Sequence, residues 1–186
     1  YDLQAWRGSS FNRLVIKAEG EVSHNTEYTN QTELLWGHAI AAFWDSQIGI
    51  RADTHSDAKN QQWFALGMHG IAPYWFEIDT TAYLGNNGQT EWVLNAEYDL
   101  LLTQRLILQP RVNFTVRGKD DPIMLLGSGL ANAALGFRLR YEFSRQFAPF
   151  VGVETENYFG DSEKYIENAG LNGSKTRYFA GIKFWF

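Results

Sequence analysis

Apolar and polar side chains alternate one for one through nearly the whole of this chain, segment after segment. In 89–100, Thr90, Trp92, Leu94, Ala96, Tyr98 and Leu100 share one face, opposite Glu91, Val93, Asn95, Glu97 and Asp99. In 105–117, Leu106, Leu108, Pro110, Val112, Phe114 and Val116 oppose Arg105, Ile107, Gln109, Arg111, Asn113, Thr115 and Arg117. In 130–143, Leu135, Phe137, Leu139, Tyr141 and Phe143 oppose Arg138, Arg140 and Glu142. The closing segment sets Tyr178, Ala180, Ile182, Phe184 and Phe186 against Lys175, Arg177, Lys183 and Trp185. A period of two puts successive side chains on opposite faces of a β-strand, whereas a helix would scatter them around its circumference.

Segments starting near 14, 31, 44, 62, 76 and 148 follow the same pattern with more noise, giving about ten strands after Phe11. Each is close to the ~9–11 residues that cross a bilayer when tilted. The connections alternate in length. Those at 41–43, 72–73, 101–104 and 144–146 are tight, while 24–30, 55–61, 118–129 and 160–174 are longer and rich in Gly, Asn, Asp and Ser. Only Asn86–Gly88 is short on the second side, as an Asn-Asn-Gly hairpin turn. The pattern predicts an all-β fold: a closed antiparallel transmembrane β-barrel of about 10–12 strands, with short periplasmic turns and longer extracellular loops. Phe186 at the apolar band resembles the assembly signal of bacterial outer-membrane barrels, which would place the C-terminus in the periplasm.

A soluble barrel also alternates, with its apolar face inward. Three features favour the inverted arrangement here. Glycines sit on the charged face (Gly49, Gly67, Gly136, Gly152, Gly181), where a crowded lumen needs them. Aromatics gather toward the strand ends of the apolar face (Trp44, Tyr74, Trp92, Phe143, Phe186), as an interfacial girdle would. The turns are unequal at the two rims.

The 186 residues suit one domain, 1–186, in which 1–10 reads either as a first strand before the Gly8-Ser9-Ser10 turn or as a periplasmic tail. The chain begins at Tyr1 without a signal peptide and is expected to be a mature or trimmed portion of a longer sequence. With 16 Lys+Arg against 21 Asp+Glu, a net charge of −5 speaks against nucleic acid as a partner. Seven Trp and nine Tyr suit membrane–water interfaces. Cysteine is absent, so a closed hydrogen-bonded barrel in lipid would do the work that disulfides do in many envelope proteins.

On this fold the charged face lines a lumen. Segments 74–84 and 89–100 present five acids, Glu77, Asp79, Glu91, Glu97 and Asp99. The next two present five arginines, Arg105, Arg111, Arg117, Arg138 and Arg140. Glu33, Asp45, Asp53, Glu154 and Glu156 also face inward, with Arg13, Lys17, Arg51, Lys175, Arg177 and Lys183. Two outcomes follow: the groups pair and partly fill the lumen, or they leave a charged path for small ions.

Several stretches go beyond generic barrel pattern. WRGSSFNRL (6–14), KAEGE (17–21), APYWFE (72–77), EYDLLLTQRLILQPR (97–111) and GKDDP (118–122) form one set. GSGL (127–130), LGFRLRYEFSRQFAPFVGVE (135–154) and AGIKFWF (180–186) form another. In order and spacing the chain resembles the copper resistance protein B family (CopB/PcoB) of Gram-negative outer membranes. The resemblance implies an outer-membrane, non-enzymatic barrel that binds or passes copper ions. Its partners would be lipid and a periplasmic protein of the same resistance system, and copper would be cargo or a transient ligand rather than a structural cofactor. A monomer is expected. The alternative is a sealed docking barrel that anchors the family's Met- and His-rich N-terminal segment, which these residues do not include.

Soft ligands are few: Met68, Met124, His24, His38, His55 and His69. Copper(I) prefers sulfur, while copper(II) takes imidazole and carboxylate oxygen. Met68 and His69 are adjacent on a strand and point to opposite faces, His69 to the lumen. His69 with Glu77 or Asp79 on the paired strand is therefore the main candidate contact. His24 and His55 lie in outer loops that incoming ions would meet first, and Met124 lies in the 118–129 loop. Asp53 and His55 could form an acid–base dyad at the outer rim, but no nucleophile accompanies them.

Overall fold

A computed structural model of the protein describes residues 1–22, 28–55, 60–86, 88–121, 124–144 and 146–185. Eleven long strands follow one another in a single antiparallel sheet. They are β1 (Asp2–Gly8), β2 (Asn12–Val22), β3 (Tyr28–Ala41), β4 (Trp44–His55), β5 (Gln61–Ala72), β6 (Phe76–Gly85) and β7 (Thr90–Glu97). After the two-residue β8 (Leu100–Leu101), which pairs only with β9, come β9 (Leu106–Arg117), β10 (Gly129–Tyr141), β11 (Phe147–Tyr158) and β12 (Ser174–Phe184). The ten strands expected after Phe11 are all present, and residues 2–8 form β1 rather than a tail. The sheet rolls until Asp2 and Gln4 of β1 line the same cavity as Arg177 of β12.

The alternation decides which side faces what. Ala65 is fully buried while the next residue, Leu66, is 56% exposed, and the burial of β5 alternates through most of its length. Leu135, Phe137, Val151 and Ile182 stand exposed on the outer surface, whereas the charged residues of the same strands turn inward. An apolar surface this extensive requires lipid around it. Within β10 the alternation is noisy at its start because a bulge between Leu130 and Asn132 shifts the register against β9 and leaves Ala131 fully buried. Leu135 sits mid-strand opposite Val112 and Thr155. Leu135→Arg is expected to lower stability in lipid vesicles by about 2–4 kcal/mol, read from a urea titration. An unchanged midpoint would overturn the lipid-facing assignment.

One long loop departs from expectation. Within 160–174, expected to be irregular, Asp161–Asn168 form a helix, α1. Asp161 and Glu163 favour its N-terminal end, and Lys164 Nζ pairs with Asp161 one turn back at 2.7 Å. Only Ser162 and Ile166 are buried, so no apolar stripe marks the helix in a segment rich in Gly, Asn, Asp and Ser. Gly127 N–H donates to Ser162 Oγ (2.8 Å), tying α1 to the loop between β9 and β10.

Candidate functional site

The lumen contains something that simple alternation does not announce. Val15, Leu35, Trp63, Ala65 and Tyr83, with Val93 against them, form a buried apolar cluster on the inward faces of β2, β3, β5, β6 and β7. The hydrophobic core of this barrel therefore lies inside it. Around the cluster the polar groups are organised as two ionic layers and a cap.

The first layer lies toward the long-loop rim. Glu91 on β7 accepts from Arg51 Nη1 (2.8 Å) and pairs with Arg117, its register partner on β9. Arg51 comes from β4, with two strands between it and β7, so its guanidinium reaches across the interior rather than along the wall. Its Nε also pairs with Asp53 Oδ1 (2.8 Å), and Trp63 Nε1 donates to the other oxygen of that carboxylate (2.9 Å). The guanidinium lies 4.7 Å over the Tyr83 ring and 5.7 Å from that of Trp63. Tyr83 O–H in turn donates to Glu33 on β3 (2.7 Å). Each oxygen of Asp53 is thus held by a donor, one by Arg51 and the other by Trp63.

The second layer lies toward the short-turn rim. Register places His69 of β5 between Asp45 of β4 and Asp79 of β6. His69 Nδ1 stands 3.5 Å from Asp79 and Nε2 stands 3.7 Å from Glu77, both too long for firm hydrogen bonds. That Nδ1 is buried without a hydrogen-bond partner among the described residues. Lys17 Nζ reaches Asp79 from β2 at 2.8 Å, and Arg13 pairs with Asp45 at 2.8 Å. Glu77 is half-exposed and lies directly opposite Glu97 across the β6–β7 ladder.

The cap is built from the loop after β9. Asp121 accepts from Gln61 Nε2 (3.3 Å) and Gln89 Nε2 (3.1 Å), and Leu126 faces the cavity. Beneath it a polar cavity of about 640 Å³ reaches down past Lys17 and His69, with Arg111 and Glu154 on its far wall.

The expected confrontation of acid and arginine walls is only partly realised. Glu91 with Arg117 and Asp99 with Arg140 (3.0 Å) do pair. Glu97 accepts instead from Gln109 Nε2 (3.2 Å). Arg111 turns the other way, to Glu154 on β11, which also pairs with Arg177 at 2.9 Å. Arg138 makes no ion pair among the described residues; its guanidinium lies over Phe150 (4.8 Å) and Phe179 (5.9 Å). Arg105 is exposed in the turn before β9, likewise without an ion pair among the described residues, because the strand starts one residue later.

Of the candidate copper contacts, His69, Glu77 and Asp79 are brought together. Met124 is not: it is half-buried in the cap loop, at the opposite rim from His69. His24 and the side chain of His55 lie outside the described residues, as does Phe186. Among the described residues no three His, Asp or Glu side chains converge as a metal cage. Sequence reasoning placed Arg51 in the lumen but missed its role with Trp63 and Tyr83, since contacts across a barrel join strands that are not neighbours in order.

The fold is that of known porins. A NanC porin structure in a rhombohedral crystal form superposes with a TM-score of 0.60 at 11% identity, covering 98% of each chain. The KdgM porin gives 0.52 at 12% identity, over 100% of this chain and 95% of that one. At such identities the likeness concerns the fold alone.

Closer kinship comes from sequence. The copper resistance protein B homolog of Pseudomonas syringae pv. tomato is 39% identical over 186 residues, all of this chain and 63% of that protein. The copper resistance protein B of Escherichia coli is 37% identical over the same length, 62% of its own. The chain thus spans about three-fifths of the length of these relatives and matches their C-terminal portion. The family model for the copper resistance protein B precursor (CopB) matches residues 1–186 throughout, and this non-enzymatic, porin-like barrel belongs to that family.

Proposed function

We propose that the barrel binds or passes copper ions across the outer membrane as part of a copper resistance system. The observation that carries this reading is His69, whose buried Nδ1 lacks a hydrogen-bond partner among the described residues while both ring nitrogens face carboxylates along the cavity wall. Imidazole with carboxylate oxygen is the donor set that copper(II) accepts, and Glu77 is exposed enough to swing onto an ion. Two residues are not a cage, which suits an ion held transiently and released. The N-terminal rim of β1 and the long loops face outward on this reading. The short turns and the C-terminus face the periplasm, where a partner of the same system would meet a monomeric barrel in lipid.

Copper entry into vesicles carrying the barrel tests the proposal. His69→Ala is expected to reduce copper flux or affinity about tenfold, with Glu77→Gln weaker in the same direction. Flux unchanged in both variants would remove this cluster from the path. A specific observation favours a second reading: the Trp63, Tyr83 and Arg51 assembly packs into the upper lumen and narrows it. Under that reading the barrel is sealed and anchors a copper-binding segment, and native vesicles would show no copper entry at all.

A further inference from the structure

The two ends of the sheet are its least finished part. No ladder joins β1 to β12 among the described residues: the sheet order runs from β1 to β12 and stops. Every other long strand holds at least one buried residue, yet none of β1 or β12 is buried. Among the described residues neither strand has a ladder neighbour on its other side. In hydrocarbon such an edge leaves main-chain N–H and C=O groups with neither water nor protein, which is why membrane-spanning sheets close.

Parity decides what can close it. Eleven antiparallel neighbours in succession leave the first and last strands pointing the same way, both from the long-loop rim toward the short-turn rim. One intervening strand, antiparallel to both, completes the ladder on either side and restores an even number. Its path is determined. It must start at the short-turn rim beside Phe184 and end at the long-loop rim, where Tyr1 stands. Tyr1 is already held at that rim, its backbone nitrogen donating to Gly20 O (2.8 Å) and its hydroxyl to Asn30. A short hairpin turn is enough to join such a strand to Tyr1. The relatives extend beyond the matched portion on this side, since the match covers their C-terminal part.

We infer that the stretch immediately preceding Tyr1 in the longer protein is the closing strand, about 10 residues long with period-two alternation. It inserts between β12 and β1 and carries the chain from the short-turn rim to the long-loop rim. Everything upstream of it then emerges at the short-turn rim, beside the mouth nearest His69. This rests on strand parity and stands whether or not the barrel handles copper.

The absence of cysteine makes a direct test available. In the chain with its native upstream sequence, in lipid vesicles, Ala180→Cys on the outer face of β12 is combined with single cysteines at successive positions before Tyr1. Oxidation is expected to cross-link most strongly at one position, the register partner of Ala180, to fall away two residues to either side, and to fail at the intervening positions, whose side chains point to the other face. Ala5→Cys with Ile16→Cys, register partners in β1 and β2, is the positive control. Cross-linking of Ala5→Cys directly to Ala180→Cys would show parallel closure and overturn the inference. So would disulfide dimers of Ala180→Cys alone, which would put a second copy at the seam. Amide exchange on the native sequence gives an independent reading: β12 amides facing the seam should exchange as slowly as those of β10. Rapid exchange there would also overturn it.

Discussion

Glu91→Ala is expected to destabilise the barrel by about 3–5 kcal/mol, the cost of leaving buried charge without its partner. Glu91 is the carboxylate on which Arg51 and Arg117 converge, and all three side chains are nearly inaccessible. Arg51 would keep Asp53, but Arg117 has no other carboxylate among the described residues and its Nε already lacks a partner there. The loss should appear as a lower urea midpoint in lipid vesicles with an unchanged slope. Glu91→Gln, which keeps an acceptor in place, should lose less. Combining Glu91→Ala with Arg117→Met should recover much of the loss, because an apolar side chain of similar length suits the Trp63 surface on which Arg117 lies. A single alanine variant within about 1 kcal/mol of the native protein would mean that water screens this layer as it screens a surface pair.

The membrane face was the most legible part of this protein. Thr176, Tyr178, Ala180, Ile182 and Phe184 could be assigned to lipid from spacing alone, because local periodicity carries that information and every strand repeats it. The pairing of Glu91 with Arg117 was accessible for the same reason, since neighbouring strands bring their residues into register. Contacts across the lumen were not. Arg51 to Glu91, Tyr83 to Glu33 and Lys17 to Asp79 join strands separated by others in the sheet, and which pairs meet depends on stagger and lumen width. Trp63 and Tyr83 were hidden for a different reason. Their inward positions follow the alternation, but aromatics there read as noise on a polar face until they are seen to pack on one another. Arg138 shows the limit of counting charges: it faces inward as expected, yet two phenyl rings rather than a carboxylate receive it. His69 beside Asp79 was within reach because the β5–β6 turn is tight and fixes their register.

Trp63→Ala should have the second large effect, and it acts on conductance as well as stability. Trp63 is 2% exposed at the centre of the lumen cluster, its ring beneath Arg51 and Arg117 and its N–H bonded to Asp53. Truncation removes a large buried side chain and leaves that carboxylate one donor short, at a cost of about 3–5 kcal/mol. The space released adjoins the cavity of about 640 Å³, whose lining runs from Leu126 of the cap past Arg51 and Tyr83 to His69, so the path would widen at that layer. Potassium conductance of single barrels in planar bilayers should therefore rise several-fold over the native protein. Trp63→Phe keeps most of the bulk and loses the donor, so it should lower stability modestly and leave conductance near native. That pair of variants separates the plug from the hydrogen bond. If Trp63→Ala conducts no better than the native barrel, the barrier lies above it, in the loop that Gln61 and Gln89 hold through Asp121, and Asp121→Ala becomes the variant that opens the lumen.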